Sequence, residues 1–226
     1  MTDPVLRAVI FDLDGVLVDT SRHHAAAWAR LVRSLGHNPP DDLEERIKGI
    51  ARLAAVRVAL GQHASQYSDA ELAALADRKN AWYVESIRGI GPKDLYPGAR
   101  ELFEDLRRAG IAAVLGSASK NARTVLEKLG IADDFSAIAD GFSFTHPKPD
   151  PDVFLAAARL AGVRPEECIV VEDAAAGIDA ALAGGFVAVG IGTYESLKHA
   201  HLYVRSLTEL SAARLKDLHA RHGRRS

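Results

Sequence analysis

Short apolar runs that stop at a polar or small residue recur along the chain: residues 8–11 before Asp12, 112–115 before Gly116-Ser117, 169–171 before Glu172-Asp173, and 186–189 before Gly190. Unbroken apolar runs of this length predict strands buried on both faces, as in a parallel sheet. Helical patterns cover 99–109, 121–129, 151–161 and 174–183, each followed by a glycine, the residue that most readily ends a helix. Strand–helix alternation of this kind predicts an α/β fold, a doubly wound parallel sheet of Rossmann-like type. In Asp150-Pro151-Asp152, Asp150 is expected as the N-cap and Pro151 at the first helical position, which leaves Lys148 on a stiff loop.

One interval breaks the alternation. From about residue 20 to 88 every periodic segment is helical, over 23–35, 53–60 and 69–87, and the exit Gly89-Ile90-Gly91-Pro92 has the turn chemistry of a hinge. The expected organisation is a core domain of residues 1–18 and 92–226 carrying an inserted α-helical cap domain of residues 19–91.

Composition narrows the function classes. Twenty-eight Lys+Arg against 30 Asp+Glu leave a net charge of −2, so no global field draws the chain to nucleic acid or an anionic membrane. The basic cluster Arg221-His222-Gly223-Arg224-Arg225 reads as a solvated tail. The single cysteine, Cys168, can form no internal disulfide and is expected as a buried, inert thiol. Met1-Thr2-Asp3-Pro4 lacks a basic leader region, and the run over 8–11 is too short for a signal peptide or membrane span. A cytoplasmic location is expected.

In open α/β sheets, ligands bind beyond the carboxyl ends of the strands. Those ends offer Asp12 and Asp14, Ser117 and Ser119, Lys148, and Glu172 with Asp173. Four carboxylates near one point repel each other unless a cation is present, and an all-oxygen set suits Mg²⁺ rather than zinc. Two apart on an extended chain, Asp12 and Asp14 share a side, and Gly15 permits a sharp turn after them. One carboxylate can then attack phosphorus to give an aspartyl phosphate while the other protonates the leaving oxygen. Asp12 is assigned as nucleophile and Asp14 as general acid/base. Ser117-Ala118-Ser119-Lys120-Asn121 leads into a helix N-terminus, whose free N–H groups suit an anion, and Lys148 supplies fixed charge for the transferring phosphoryl oxygens.

Asp12-Leu13-Asp14-Gly15-Val16, Ser117, Lys148 and Glu172-Asp173 resemble, in order and spacing, the four motifs of the haloacid dehalogenase superfamily of phosphotransferases. The resemblance implies that fold and Mg²⁺-assisted aspartyl-phosphate chemistry, with Asp12, the Asp14 carbonyl and Asp173 on the metal and Glu172 beside it. Within the superfamily, the segment Asp19 to Trp28, Lys48-Gly49-Ile50-Ala51-Arg52, Arg78-Lys79-Asn80 and Tyr96-Pro97-Gly98 are similar to the β-phosphoglucomutase family. That likeness implies an isomerase of carbohydrate metabolism. It implies a glucose 1,6-bisphosphate as activating intermediate. It also implies a distal phosphate site of Arg52, Ser119, Lys120 and Asn121, and a sugar pocket lined by Gly49, Ile50 and Lys79 beside Lys48. Ser117, Ala118 and Lys148 would hold the transferring phosphate, with Thr20 and His24 coupling the cap to the chemistry. Ala55 departs from the serine common in that family, and Phe144-Thr145-His146-Pro147 departs from the smaller residues expected before Lys148. The expected partner is a small-molecule sugar phosphate, acted on by a monomer. Two rival readings are a phosphosugar phosphatase with water as acceptor and a non-catalytic phosphosugar-binding protein; the intact Asp12 and Asp14 speak against the second.

Overall fold

The computed structural model describes residues 5–223. Six strands form one parallel sheet: β1 (Ala8–Phe11), β2 (Ala112–Gly116), β3 (Ala137–Ala139), β4 (Cys168–Glu172), β5 (Val187–Ile191) and β6 (Leu202–Val204), in the order β3-β2-β1-β4-β5-β6. The strand order reverses at β1, so the crevice beyond its carboxyl end lies between β2 and β4. Alternate side chains serve opposite faces. Val9, Phe11, Leu115, Ile169, Val171 and Val189 pack in one buried cluster, whereas Ala8, Ile10, Val114, Cys168, Val170 and Ala188 pack in another.

The first cluster takes the apolar sides of α5 (Ala99–Arg108), α6 (Ala122–Leu129) and α10 (Ala212–His222). The second takes α7 (Asp152–Leu160), α8 (Ala175–Ala183) and the short α9 (Tyr194–Leu197). Strands 1, 2, 4 and 5 and the helices between them fall within two residues of the expected bounds. The edge strands β3 and β6 escaped the pattern because each is three residues long and only partly buried. Helix α7 starts one residue later than expected, with Pro151 as N-cap; the Asp150 side chain still accepts from the Asp152 amide at 3.1 Å. The basic cluster also needs correction. Arg221 and His222 belong to α10 rather than to a tail, while Arg224 and Arg225 lie outside the described residues, as does the segment Met1 to Pro4.

Between β1 and β2 run α1 (Ser21–Ser34), α2 (Leu43–Ile47), α3 (Arg52–Leu60) and α4 (Asp69–Ser86). They bury a separate core of Trp28, Leu31, Leu43, Val56, Leu72 and Ala76. A capping box at Ser68 and Glu71 starts α4, satisfying two N–H groups that the first helical turn leaves free. At the other end of α4, Tyr83 and Ile87 join the cluster under the sheet. The chain leaves and re-enters the sheet body side by side: Val18 bridges Leu95, and Tyr96 N donates to Leu17 O at 2.8 Å. This pairing fixes where the helical insert sits above the strand ends.

Among the aromatic contacts, Phe103 on α5 meets Phe11 and Phe135 edge-on at 5.4 and 5.3 Å between centroids. Truncating such a ring leaves a cavity as well as lost contact. Phe103→Ala should therefore cost about 3–5 kcal/mol of stability, seen as a lower urea midpoint at unchanged slope. An unchanged midpoint would remove the cluster from the fold's stabilising core.

Candidate active site

Asp12 follows β1 directly, and its amide donates to Val171 O at 3.0 Å, so the strand register sets it beside Glu172 and Asp173 at the end of β4. Lys148 reaches in from the loop before α7. Its Nζ lies 2.6 Å from Asp12 Oδ1 and 2.7 Å from Glu172 Oε2, with no exposure of the lysine side chain. The ammonium stands over the Phe154 ring at 4.8 Å, which adds a cation–π contact at a buried position. Glu172 Oε1 accepts from the amides of Asp173 and Ala174, both at 3.1 Å.

Asp12, Glu172 and Asp173 present carboxylate oxygens within 4.8 Å of one another. Burial pushes Asp12 and Asp173 up to about 6 and raises Glu172, although Lys148 or Lys48 opposes each rise. Burial works against the Lys148 ammonium too, yet Asp12 and Glu172 hold it above its ordinary range. A desolvated, all-oxygen set short of positive charge is what a hard divalent cation fits. Gly15 makes the arrangement compatible with a turn: its φ is +87°, and a Cβ there would stand 1.8 Å from Asp173 Oδ2.

The sequence put four carboxylates at one point; the structure gathers three. The Asp14 carboxylate instead receives the Thr20 hydroxyl, because the turn through Gly15 pairs Asp14 with Val18 and carries it toward α1. Burial, then Asp12, push Asp14 up to about 6, a range in which a carboxyl can both give and take a proton near neutrality. His24 Nε2 stands 3.9 Å from Asp14 Oδ1. Its ring stacks on Tyr83 at 3.9 Å, and its Nδ1 lies 2.7 Å from Lys79 Nζ. Burial, with Lys79 and Arg52 adding to it, holds His24 well below its ordinary value, so a neutral ring accepts from the lysine. Lys79 is itself pushed down to about 7, by burial and then by Arg52, and its Nζ sits over the Trp28 and Tyr83 rings.

Beyond β2, Ser117 is fully buried, its Oγ accepting from the Ser119 amide at 3.1 Å, and Ser119 Oγ accepts from the Asn121 amide at 3.2 Å. These turns lead into α6, whose N-cap is Asn121. Facing them from α3, Arg52 donates to Asn80 Oδ1 at 2.9 Å and pairs with Asp77 at 3.2 Å. Lys48 pairs with Asp173 at 2.9 Å. Gly49, at φ +70°, brings the same loop so close that a Cβ would stand 3.2 Å from the Ala174 Cβ. Asp12, Asp14, His24, Lys48, Gly49, Ile50, Arg52, Lys79 and residues 118–121 all line one cleft with about 60 Å³ of room for water-sized contents. Thr20, Ser117, Lys148, Glu172 and Asp173 stand behind that lining.

Comparison with known proteins agrees with this geometry. Residues 6–185 match the model of the haloacid dehalogenase-like hydrolases. The β-phosphoglucomutase of Bacillus subtilis is 39% identical over 214 residues, covering 94% of this chain and 95% of that protein. The chain belongs to the haloacid dehalogenase-like hydrolase family. A β-phosphoglucomutase of Mycobacterium bovis is 32% identical, covering 82% of this chain and 81% of its own. The crystal structure of β-phosphoglucomutase from Clostridium difficile superposes with a TM-score of 0.92 at 38% identity, covering 96% of this chain and 98% of that one. These relatives within the family are thus mutases by name.

Spacing could not reveal the supports of this haloacid dehalogenase-like site. Tyr83 under His24 and Asp77 with Asn80 on Arg52 come from helices dozens of residues apart, and Phe154 comes under Lys148 only because the loop before α7 folds back over that helix. A hint lay in Asp77 and Asn80 being three apart, on one face of α4.

The buried carboxylates carry a pH signature. An Asp whose folded value is raised from 3.8 to about 6 keeps its proton longer when folded, so its contribution is fully present below the unfolded value and is lost as pH rises through 6. The depressed histidines act in the opposite sense but do not touch the cluster. Adding Mg²⁺ to the metal-free protein should therefore raise Tm more at pH 8 than at pH 5; an equal or reversed increment would exclude the three carboxylates as the cation's ligands.

Proposed function

We propose that this chain is a Mg²⁺-dependent β-phosphoglucomutase, interconverting β-D-glucose 1-phosphate and glucose 6-phosphate through β-glucose 1,6-bisphosphate. The observation that carries the reading is a second set of cationic and polar groups on the same cleft: Arg52 lines it with Ser119, Lys120 and Asn121 at the start of α6, and Asn80 hydrogen-bonds both Arg52 and Asn121. Hydrolysis of a monophosphate needs only the carboxylate end. A substrate with two phosphates needs both, and a guanidinium suits bidentate phosphate binding.

Asp12, Asp173 and the Asp14 carbonyl, with Glu172 beside them, would hold Mg²⁺, which when bound offsets charge on the transferring phosphoryl group. Phosphorylated Asp12 passes its phosphoryl group to the 6-hydroxyl of β-glucose 1-phosphate, and Asp14 takes the hydroxyl proton as the aspartyl P–O bond breaks. The resulting bisphosphate turns end for end. Asp12 then attacks the phosphorus on the 1-oxygen, and Asp14 returns its proton to that oxygen as glucose 6-phosphate leaves. Lys148, held on Asp12 and Glu172, keeps the nucleophile ionised and faces the phosphoryl oxygens. Ser117 and Ala118 contribute to the same phosphate, while Gly49, Ile50, Lys48 and Lys79 meet the sugar.

Thr20 and His24 join this chemistry to the helical insert, since both face Asp14 from the start of α1. A cleft of about 60 Å³ is far below the roughly 300 Å³ or more of a ligand pocket, so residues 19–91 act as a cap that moves off the core of residues 1–18 and 92–226 to admit sugar. Reclosure would align Asp14 only when substrate spans both ends, which keeps water from discharging the aspartyl phosphate. Ala55, buried on α3 and lining the cleft, adds no hydroxyl to the sugar pocket. The enzyme is read as a cytoplasmic monomer that acts on a small sugar phosphate and needs neither nucleic acid nor membrane. No helix among the described residues is long and apolar enough to cross a membrane.

With Mg²⁺ and a trace of bisphosphate, β-glucose 1-phosphate should yield glucose 6-phosphate without inorganic phosphate; stoichiometric phosphate release would establish a phosphatase instead. Asp12→Ala should abolish turnover, and retained activity would end the aspartyl-phosphate mechanism. Arg52→Ala should impair bisphosphate use by roughly 10- to 100-fold while sparing hydrolysis of a small aryl phosphate, and equal losses would remove Arg52 from the distal phosphate.

A further inference from the structure

The distal end of the cleft is assembled through one oxygen atom. Asn80 Oδ1 accepts from Arg52 Nη2 on α3 at 2.9 Å and from Asn121 Nδ2, at the N-cap of α6, also at 2.9 Å. Both lone pairs of that carbonyl are thereby used, one toward the helical insert and one toward the sheet body. The other end of the guanidinium rests on Asp77 at 3.2 Å, a side chain 75% exposed. An exposed ion pair of this kind fixes little. Asn80 is therefore the half-buried group that sets the plane of Arg52 and ties it to Asn121 across the cleft.

Its neighbour in sequence serves the opposite end. Lys79 reaches His24, which faces Asp14, so consecutive residues of α4 address the proton-transfer end and the distal end. One rigid helix thus relates the two ends of the cleft.

We propose that Asn80 is a positioning residue for the second phosphate: it holds Arg52 in register with Asn121, so that selection of a doubly phosphorylated sugar over a singly phosphorylated one depends on it. The inference rests on the mutase reading and deepens it. Asn80 acts through Arg52 and takes no part in phosphoryl transfer at Asp12.

The test compares wild type, Asn80→Ala, Arg52→Ala and the double variant, with KM and kcat for β-glucose 1,6-bisphosphate read from the dependence of product formation on its concentration at saturating β-glucose 1-phosphate, and hydrolysis of p-nitrophenyl phosphate read in parallel. Asn80→Ala should raise KM for the bisphosphate by roughly tenfold, the scale of a charge-assisted hydrogen bond. It should leave aryl phosphate hydrolysis within about twofold of wild type, which also reports an intact fold. In the Arg52→Ala background, Asn80→Ala should add less than a further twofold, because residues acting through one group are not additive. The proposal is overturned by an unchanged bisphosphate KM, by a matching loss on the aryl phosphate, or by effects that multiply in the double variant. Failure of the mutase reading shows separately, as inorganic phosphate in place of glucose 6-phosphate from the wild-type enzyme, while the KM ratios are read either way.

Discussion

The contact on which the site depends is the buried ammonium of Lys148 between Asp12 and Glu172. Taking any one of these charges out of water costs several kcal/mol unless partners surround it. The fold supplies those partners from three directions. Strands β1 and β4, in register at Phe11 and Val171, bring the two carboxylates together, and the loop before α7 brings the lysine. That loop is braced at both ends: Asp140 binds Ser143 and the Phe142 amide, and Asp152 binds His146. The lysine stem therefore has little freedom left, and the cost of ordering it falls on polar groups that are themselves satisfied.

Charge is divided between the two parts of the molecule. The sheet body contributes Asp12, Glu172 and Asp173 with Lys148 buried among them, whereas the helical insert brings Lys48, Arg52 and Lys79 to the cleft above. The Lys48–Asp173 pair joins the two parts. Desolvation tempers the charge on the insert's side, because Lys79 over the aromatic rings of Trp28 and Tyr83 is pushed down by burial to about 7. A lysine in that range can hold a neutral histidine by hydrogen bonding without flooding Asp14 with fixed charge. The acid/base carboxyl thus stays tunable next to a strongly ionic nucleophile site, and the separation of the two roles follows from a single turn at Gly15.

Much of this was legible in the sequence. The parallel core strands, their helices and the helical interval between β1 and β2 followed from apolar periodicity and glycine stops, since strands buried on both faces have no polar positions to blur the pattern. Strand ends then named Asp12, Asp14, Ser117, Lys148, Glu172 and Asp173, because a parallel sheet has only one edge where chemistry can gather. Short partial signals were lost: β3 and β6 are three-residue edges with half-exposed side chains.

Residue types and spacing by themselves determined the fold class and the phosphoryl-transfer set, as both rest on local periodicity and on where a strand must stop. Only tertiary structure decided how those groups share their environment. It turned Asp14 away from the other three carboxylates, stacked Tyr83 on His24, set Phe154 beneath Lys148, and joined Arg52 to Asn121 through Asn80. The His24–Tyr83 and Arg52–Asn80–Asn121 relations depend on helices and loops meeting across dozens of residues, while those of Asp14 and Lys148 depend on how a short loop turns within the packed site. Burial, which shifts the carboxyls and lysines, is a property of that packed assembly and of no single segment.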